Sequence, residues 1–132
     1  MMNTDRKDDG HGYKHSELTG EVLRCAFEVH NHLGCGFLEK VYERALIFEL
    51  KAIGIKVEPQ KSIKINYEGE FVGNYVADII VEDKVIIELK VVEFLTKIHK
   101  AQMINYLKAT GYEVGLILNF AKPRLEYQRI II

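Results

Sequence analysis

Ala77-Asp78-Ile79-Ile80-Val81-Glu82-Asp83-Lys84-Val85-Ile86-Ile87-Glu88-Leu89-Lys90-Val91-Val92 is the stretch whose reading decides the fold. Two apolar runs meet at Glu82-Asp83-Lys84, which reads as a β-hairpin dense enough in apolar residues for a central, covered sheet. Three charges, Asp78, Glu88 and Lys90, stand inside the runs instead of at the turn. Ions buried without partners are costly, so a central strand carries them only if they neutralise one another or bind something. Alternation puts Glu88 and Lys90 on one strand face. A three-residue loop at 82–84 sets Asp78 directly opposite Glu88, pointing the same way. A two-residue loop at Asp83-Lys84 sets Asp78 opposite Leu89 and parts the acids.

Outward from the hairpin, the chain alternates clear helical and extended textures. Upstream, Ser16 is a plausible N-cap, and Leu18, Val22, Cys25, Ala26, Val29 and Leu33 recur at helical spacing until Gly34 and Gly36. A second helix is expected over 37–53, stopped by Gly54. After Pro59, Ile63, Ile65 and Tyr67 alternate with Lys64 and Asn66 as a strand, and Glu68-Gly69 supplies the turn into 71–81. Downstream, Thr96 caps a third helix running to Thr110 and Gly111. Strands over 114–120 and 125–132 follow, around Pro123. The expected order is ααβββαββ. Residues 1–15, almost without apolar side chains, are expected to form a disordered tail, with one domain over 16–132.

Length and composition set outer bounds. With 132 residues, 48% hydrophobic and 28% charged, the chain suits one domain with a single core. No apolar run approaches the roughly 18 to 20 residues that cross a bilayer, and the polar, acidic N-terminus resembles no secretory signal, so a cytoplasmic protein without membrane partners is expected. Cys25 and Cys35, ten apart on a helix and its end, are too distant for a bridge. The net charge of −1 excludes coating of nucleic acid by bulk attraction alone. Residues 1–83 hold 10 Lys/Arg against 15 Asp/Glu, and 84–132 hold 8 against 4, so a polyanion can still meet a basic surface in the C-terminal half.

Two carboxylates and an ammonium at a sheet end suit a hard cation such as Mg2+, which polarises a phosphodiester and acidifies a water; the Lys can orient that water or offset charge on the phosphate. The competing reading is an ion cluster that only fixes register. On a helical wheel Glu39, Tyr42, Glu43, Leu46 and Leu50 share the inward face, making Glu39 a candidate third acid with Glu43 as its substitute. His99, Gln102 and Tyr106 lie on one stripe of the third helix, where an amide and a phenol can hold a phosphate, a base edge or a water. His30 and His32 fit no metal motif and stay outside the site.

These residues resemble the small GxxExxxY proteins of the PD-(D/E)XK nuclease superfamily. The likeness rests on Glu28-Val29-His30-Asn31-His32-Leu33-Gly34, on Gly36-Phe37-Leu38-Glu39-Lys40-Val41-Tyr42-Glu43, on Ala77-Asp78 with Val85-Ile86-Ile87-Glu88-Leu89-Lys90, and on Ala101-Gln102 through Asn105-Tyr106-Leu107. No Pro precedes Asp78, and the name-giving segment is spaced Gly36, Glu39, Tyr42. The resemblance implies a restriction-endonuclease-like α/β core, a mixed central sheet flanked by helices. It also implies a metal site of Asp78 and Glu88 with Lys90 beside it, completed by Glu39 as in the RecB-type branch, with Gln102 and Tyr106 near the substrate. The expected activity is an Mg2+- or Mn2+-dependent phosphodiesterase on DNA or RNA, working alone, as a homodimer or with a protein partner. The alternative is a nucleic-acid-binding or protein-interaction module that keeps the fold without turnover.

Overall fold

The computed structural model describes residues 14–132. Helices α1 (Ser16–Leu33) and α2 (Glu39–Ala52) are followed by strands β1 (Val57–Tyr67), β2 (Glu70–Val81) and β3 (Val85–Lys90). Helix α3 (Lys97–Thr110) and strands β4 (Val114–Asn119) and β5 (Glu126–Ile131) complete the order ααβββαββ. The expected tail falls outside the described residues up to 13. Its last two residues, Lys14 and His15, form a turn, with the Lys14 ammonium 2.9 Å from Glu113. No helix among the described residues is long and apolar enough to cross a membrane.

One five-stranded sheet runs β1-β2-β3-β4-β5. Its pairs are antiparallel except β3 with β4, which are parallel and joined through α3. Helices α1 and α2 cover one face, where Val22, Ala26, Tyr42, Leu46 and Leu50 pack on Ile79, Ile87, Leu89, Leu116 and Leu118. Helix α3 covers the other, where Met103 and Leu107 pack on Ala77, Ile80, Ile86, Ile117 and Ile130. The three inner strands, β2, β3 and β4, therefore carry apolar side chains on both faces where the helices cover them, as their sequence implies. Helix α3 lies close because Gly115 gives it room: a Cβ there would stand 2.4 Å from the Met103 sulfur.

The first strand begins at Val57, earlier than the sequence suggests, and carries Pro59 within it. An edge strand tolerates a residue without an N–H on its open side. Just beyond, Gln60 takes a left-handed φ of +52°. The β1–β2 ladder passes from Pro59↔Ile79 to Lys61↔Ala77, leaving Gln60 and Asp78 out of register pairing. The faces exchange at this level: Val57, Ile79 and Val81 belong to the α1/α2 core, whereas Ile63, Ile65, Tyr75 and Ala77 belong to the α3 core.

Tyr42 fixes the α1–α2 turn. Its hydroxyl donates to the Gly34 carbonyl at 2.7 Å and accepts the Phe37 N–H at 3.2 Å, while its ring stacks on Phe120. Gly36, at φ +115°, occupies backbone space that side-chain-bearing residues avoid. The buried His30 donates from Nε2 to the Lys122 carbonyl at 2.8 Å and stacks on Phe120, a structural role in keeping with its omission from the site. The cysteines are both free, Cys25 buried and Cys35 exposed.

Candidate active site

The β2–β3 turn spans three residues, because Val81 pairs with Val85, Ile80 with Ile86 and Ile79 with Ile87. Of the two registers open to the sequence, this is the one that brings Asp78 level with Glu88. Ladder pairing stops there and the carboxylates take over. Asp78 Oδ2 accepts the Leu89 N–H at 2.9 Å, and the Asp78 N–H donates to Glu88 Oε2 at 3.3 Å. The expectation that Asp78 and Glu88 point the same way by simple alternation needs correction. Asp78 sits where the strand faces exchange, and its electrostatic neighbours include Glu43 and Lys40 of α2. Glu88 lies on the α3 face with Ile86.

Each acid keeps one oxygen, Asp78 Oδ1 and Glu88 Oε1, without a hydrogen bond among the described residues. Burial, then the neighbouring Asp78 charge, pushes the Glu88 carboxyl up to about 7. Burial raises Asp78 too, against the pull of the Leu89 N–H, with Glu43 adding to the rise. Two neighbouring acids both raised by burial would each be favoured in their ionised form by a positive charge placed beside them.

Lys90 supplies part of that charge. Its ammonium has no hydrogen bond or ion pair among the described residues, yet it favours the ionised forms of Glu39, Asp78 and Glu88. It stands among all three.

Helix α2 presents its acids differently from the helical wheel. Glu39 is exposed in the first turn, and the buried acid is Glu43, one turn later. Glu43 accepts from Gln60 Nε2 at 2.9 Å and from the Lys40 ammonium at 3.4 Å. First-turn side chains have no preceding turn to cover them, which is why the wheel overstates the burial of Glu39. Partial burial and the Asp78 charge still hold Glu39 above the usual carboxylate range. Among the described residues no three His, Cys, Asp or Glu side chains gather closely enough to enclose an ion by themselves. Two carboxylates with open positions nevertheless suit Mg2+, which keeps several waters and takes one or two carboxylates plus phosphate oxygens.

On the α3 face, Glu88 and Lys90 share a small cavity with His99, Gln102, Met103, Tyr106 and Ile117. Its volume, about 10 Å3, holds roughly one water and is too small to enclose a larger group. Gln102 and Tyr106 thus stand beside the Glu-x-Lys strand. The residue that alternation misses is Tyr75. Nearly buried, it donates its hydroxyl to Glu88 Oε2 and stacks on Tyr106 with ring centroids 3.8 Å apart. Tyr75 and Asp78 differ in strand parity, so only the face exchange at Gln60 and Asp78 brings Tyr75 to Glu88. A second unforeseen residue is the buried Asn119. It bonds the Val92 N–H and carbonyl, at 3.1 and 2.9 Å, and Glu126, so it holds the start of the connection from β3 to α3.

No curated protein sequence matches the chain. Among solved structures, the crystal structure of SSO0001 superposes with a TM-score of 0.56 at 20% identity, covering 92% of this chain and 61% of that one. The likeness is one of fold, and this chain spans about three fifths of that protein's length. The family model for the PD-(D/E)XK nuclease superfamily matches residues 16–130. With nearly all of the described chain inside that match, and a hairpin that sets an Asp level with a Glu-x-Lys, the protein belongs to the PD-(D/E)XK nuclease superfamily.

Proposed function

We propose that this protein is a divalent-metal-dependent nuclease, hydrolysing phosphodiester bonds of DNA or RNA, from the GxxExxxY family and the RecB-type branch. The observation that carries this reading is the meeting of Asp78 and Glu88 across the hairpin, each with one oxygen uncommitted and a proton affinity raised by burial. Asp78 and Glu88 would hold Mg2+ or Mn2+, with Glu39 completing the set from the first turn of α2. Bound there, the ion supplies Lewis acidity toward the phosphodiester and acidifies a water.

The chain's own residues do the rest. Lys90, unpaired among the described residues and close to the acids, orients the attacking water or offsets charge gathering on the phosphate. Tyr75 holds Glu88 in one rotamer through its hydroxyl. Gln102 and Tyr106 offer an amide and a phenol to the substrate at the mouth of the cavity. A substrate approaching this side meets the more basic half of the chain, 84–132. The proposal includes cytoplasmic action, in keeping with two free cysteines, and allows a second copy or a protein partner to extend the contact surface.

Titration calorimetry with Mg2+ and Mn2+, followed by a cleavage screen on single-stranded DNA, duplex DNA and RNA, tests the reading. Asp78→Ala is expected to lose metal binding and cleavage with unchanged circular dichroism. Undiminished cleavage by that variant overturns the assignment. Metal binding by the wild type without cleavage of any substrate favours a module that keeps the fold but not the turnover.

A further inference from the structure

His99 is left unused by the function just proposed, although it lines the same cavity as Glu88, Lys90, Gln102 and Tyr106. Its ring is unusually well defined by its own helix. Thr96 and His99 form the capping box of α3: the Thr96 hydroxyl accepts the Ile98 N–H at 3.2 Å, and His99 Nδ1 accepts the Thr96 N–H at 3.0 Å. A backbone N–H can only donate, so Nδ1 must carry a lone pair and the ring proton of the neutral imidazole sits on Nε2. Nε2 has no hydrogen-bond partner among the described residues. The cap therefore fixes both the tautomer and the orientation of a free N–H donor on a ring that borders the cleft.

The choice of His at this position runs against local economy. The third residue of a capping box is ordinarily Glu or Gln, and an acid there would also suit the positive end of the helix. Helix α3 has no acid in its first turn, where Lys97, His99 and Lys100 stand instead. A carboxylate at 99 would border Glu88 and repel an incoming phosphate, whereas imidazole serves the cap equally and leaves a donor over.

We propose that His99 is a further substrate-contacting residue, donating Nε2–H to a phosphate oxygen of a nucleic-acid strand laid over the Glu88–Lys90 cleft. This rests on the nuclease reading. His99, Gln102 and Tyr106 then act as one stripe: two donors and a phenol, one helical turn apart, along the strand's path.

The test separates the cap from the contact. His99→Glu keeps an acceptor able to reach the Thr96 N–H and removes every donor, His99→Ala removes the donor without adding charge, and Thr96→Ala damages the cap while keeping the imidazole. Binding of fluorescein-labelled single-stranded DNA, duplex DNA and RNA is measured by anisotropy with Ca2+ replacing Mg2+, alongside thermal denaturation. The expected result is a melting temperature near wild type for His99→Glu, with affinity for the bound oligonucleotide weakened about tenfold or more in both His99 variants, as for loss of a hydrogen bond to a charged group, and weakened less in Thr96→Ala. Wild-type affinity in a folded His99→Ala or His99→Glu protein overturns the assignment while the nuclease reading stands. A wild type that binds and cleaves none of the three overturns both. Failure of Asp78→Ala to lose cleavage, with His99→Ala still weakened in binding, overturns the metal site and keeps the contact.

Discussion

Glu88 binds its proton more tightly in the folded protein than in the unfolded chain, where it titrates near its ordinary 4.5 instead of about 7. Between those values the native state holds a proton that the unfolded state has lost. The group's contribution to stability is thus complete below pH 4.5 and disappears as pH rises through 7, with a slope of up to about 1.4 kcal/mol per pH unit. Asp78 and Glu39 are raised as well and add the same sign. In chelator, the urea midpoint is expected to fall from pH 5 to pH 8, and Glu88→Gln is expected to flatten that dependence. Tyr75→Phe removes the one side-chain donor that opposes the rise, so the Glu88 midpoint, followed by NMR, is expected to move further up. The acids and the Lys could be read from the hairpin because charge inside an apolar run is a strong signal. Tyr75 could not, because strand parity is a local rule and Gln60 breaks it from the neighbouring strand. Pro59 is the one nearby mark of that break.

Each element of the site is held by a contact outside it. Gly115 seats Met103, which seats α3 and so the stripe of His99, Gln102 and Tyr106 above Glu88. Gly115→Ala is expected to cost about 1 to 3 kcal/mol by overpacking and to weaken substrate binding more than metal binding. Calorimetry with metal and anisotropy with an oligonucleotide distinguish the two. Tyr42→Phe leaves the Gly34 carbonyl and Phe37 N–H without their shared partner and is expected to lower stability by about 1 to 2 kcal/mol in urea denaturation. At this scale the sequence was informative about element order and boundaries, since caps, glycines and periodicity are written locally. It was less informative about α2. A helical wheel separates faces but cannot tell which of two acids one turn apart lies under the sheet edge, and Glu43 rather than Glu39 is the buried one.

For the whole molecule, charge distribution matters more than net charge. The stretch 1–83 is net acidic and 84–132 net basic, and Lys90, Lys97 and Lys100 of the basic stretch lie on β3 and at the start of α3, so attraction to a polyanion is expected to centre on them. Few phosphates are neutralised by so small a patch. The logarithm of the nucleic-acid association constant is expected to fall with log salt at a slope of only about −2 to −3. Anisotropy titrations at several salt concentrations measure it; a slope several times steeper would indicate a wider basic surface. The parallel neighbour of β3 has a temporal consequence as well. The β2–β3 hairpin closes through a three-residue turn, whereas β4 reaches its place only after residues 91–113 have traversed the sheet. Pulse-labelled hydrogen exchange during refolding is expected to protect hairpin amides before those of β4. On that order a nascent chain brings Asp78 and Glu88 together before the helical wall carrying Gln102 and Tyr106 is built, so the proposed chemistry would stay out of reach until the last strands are in place.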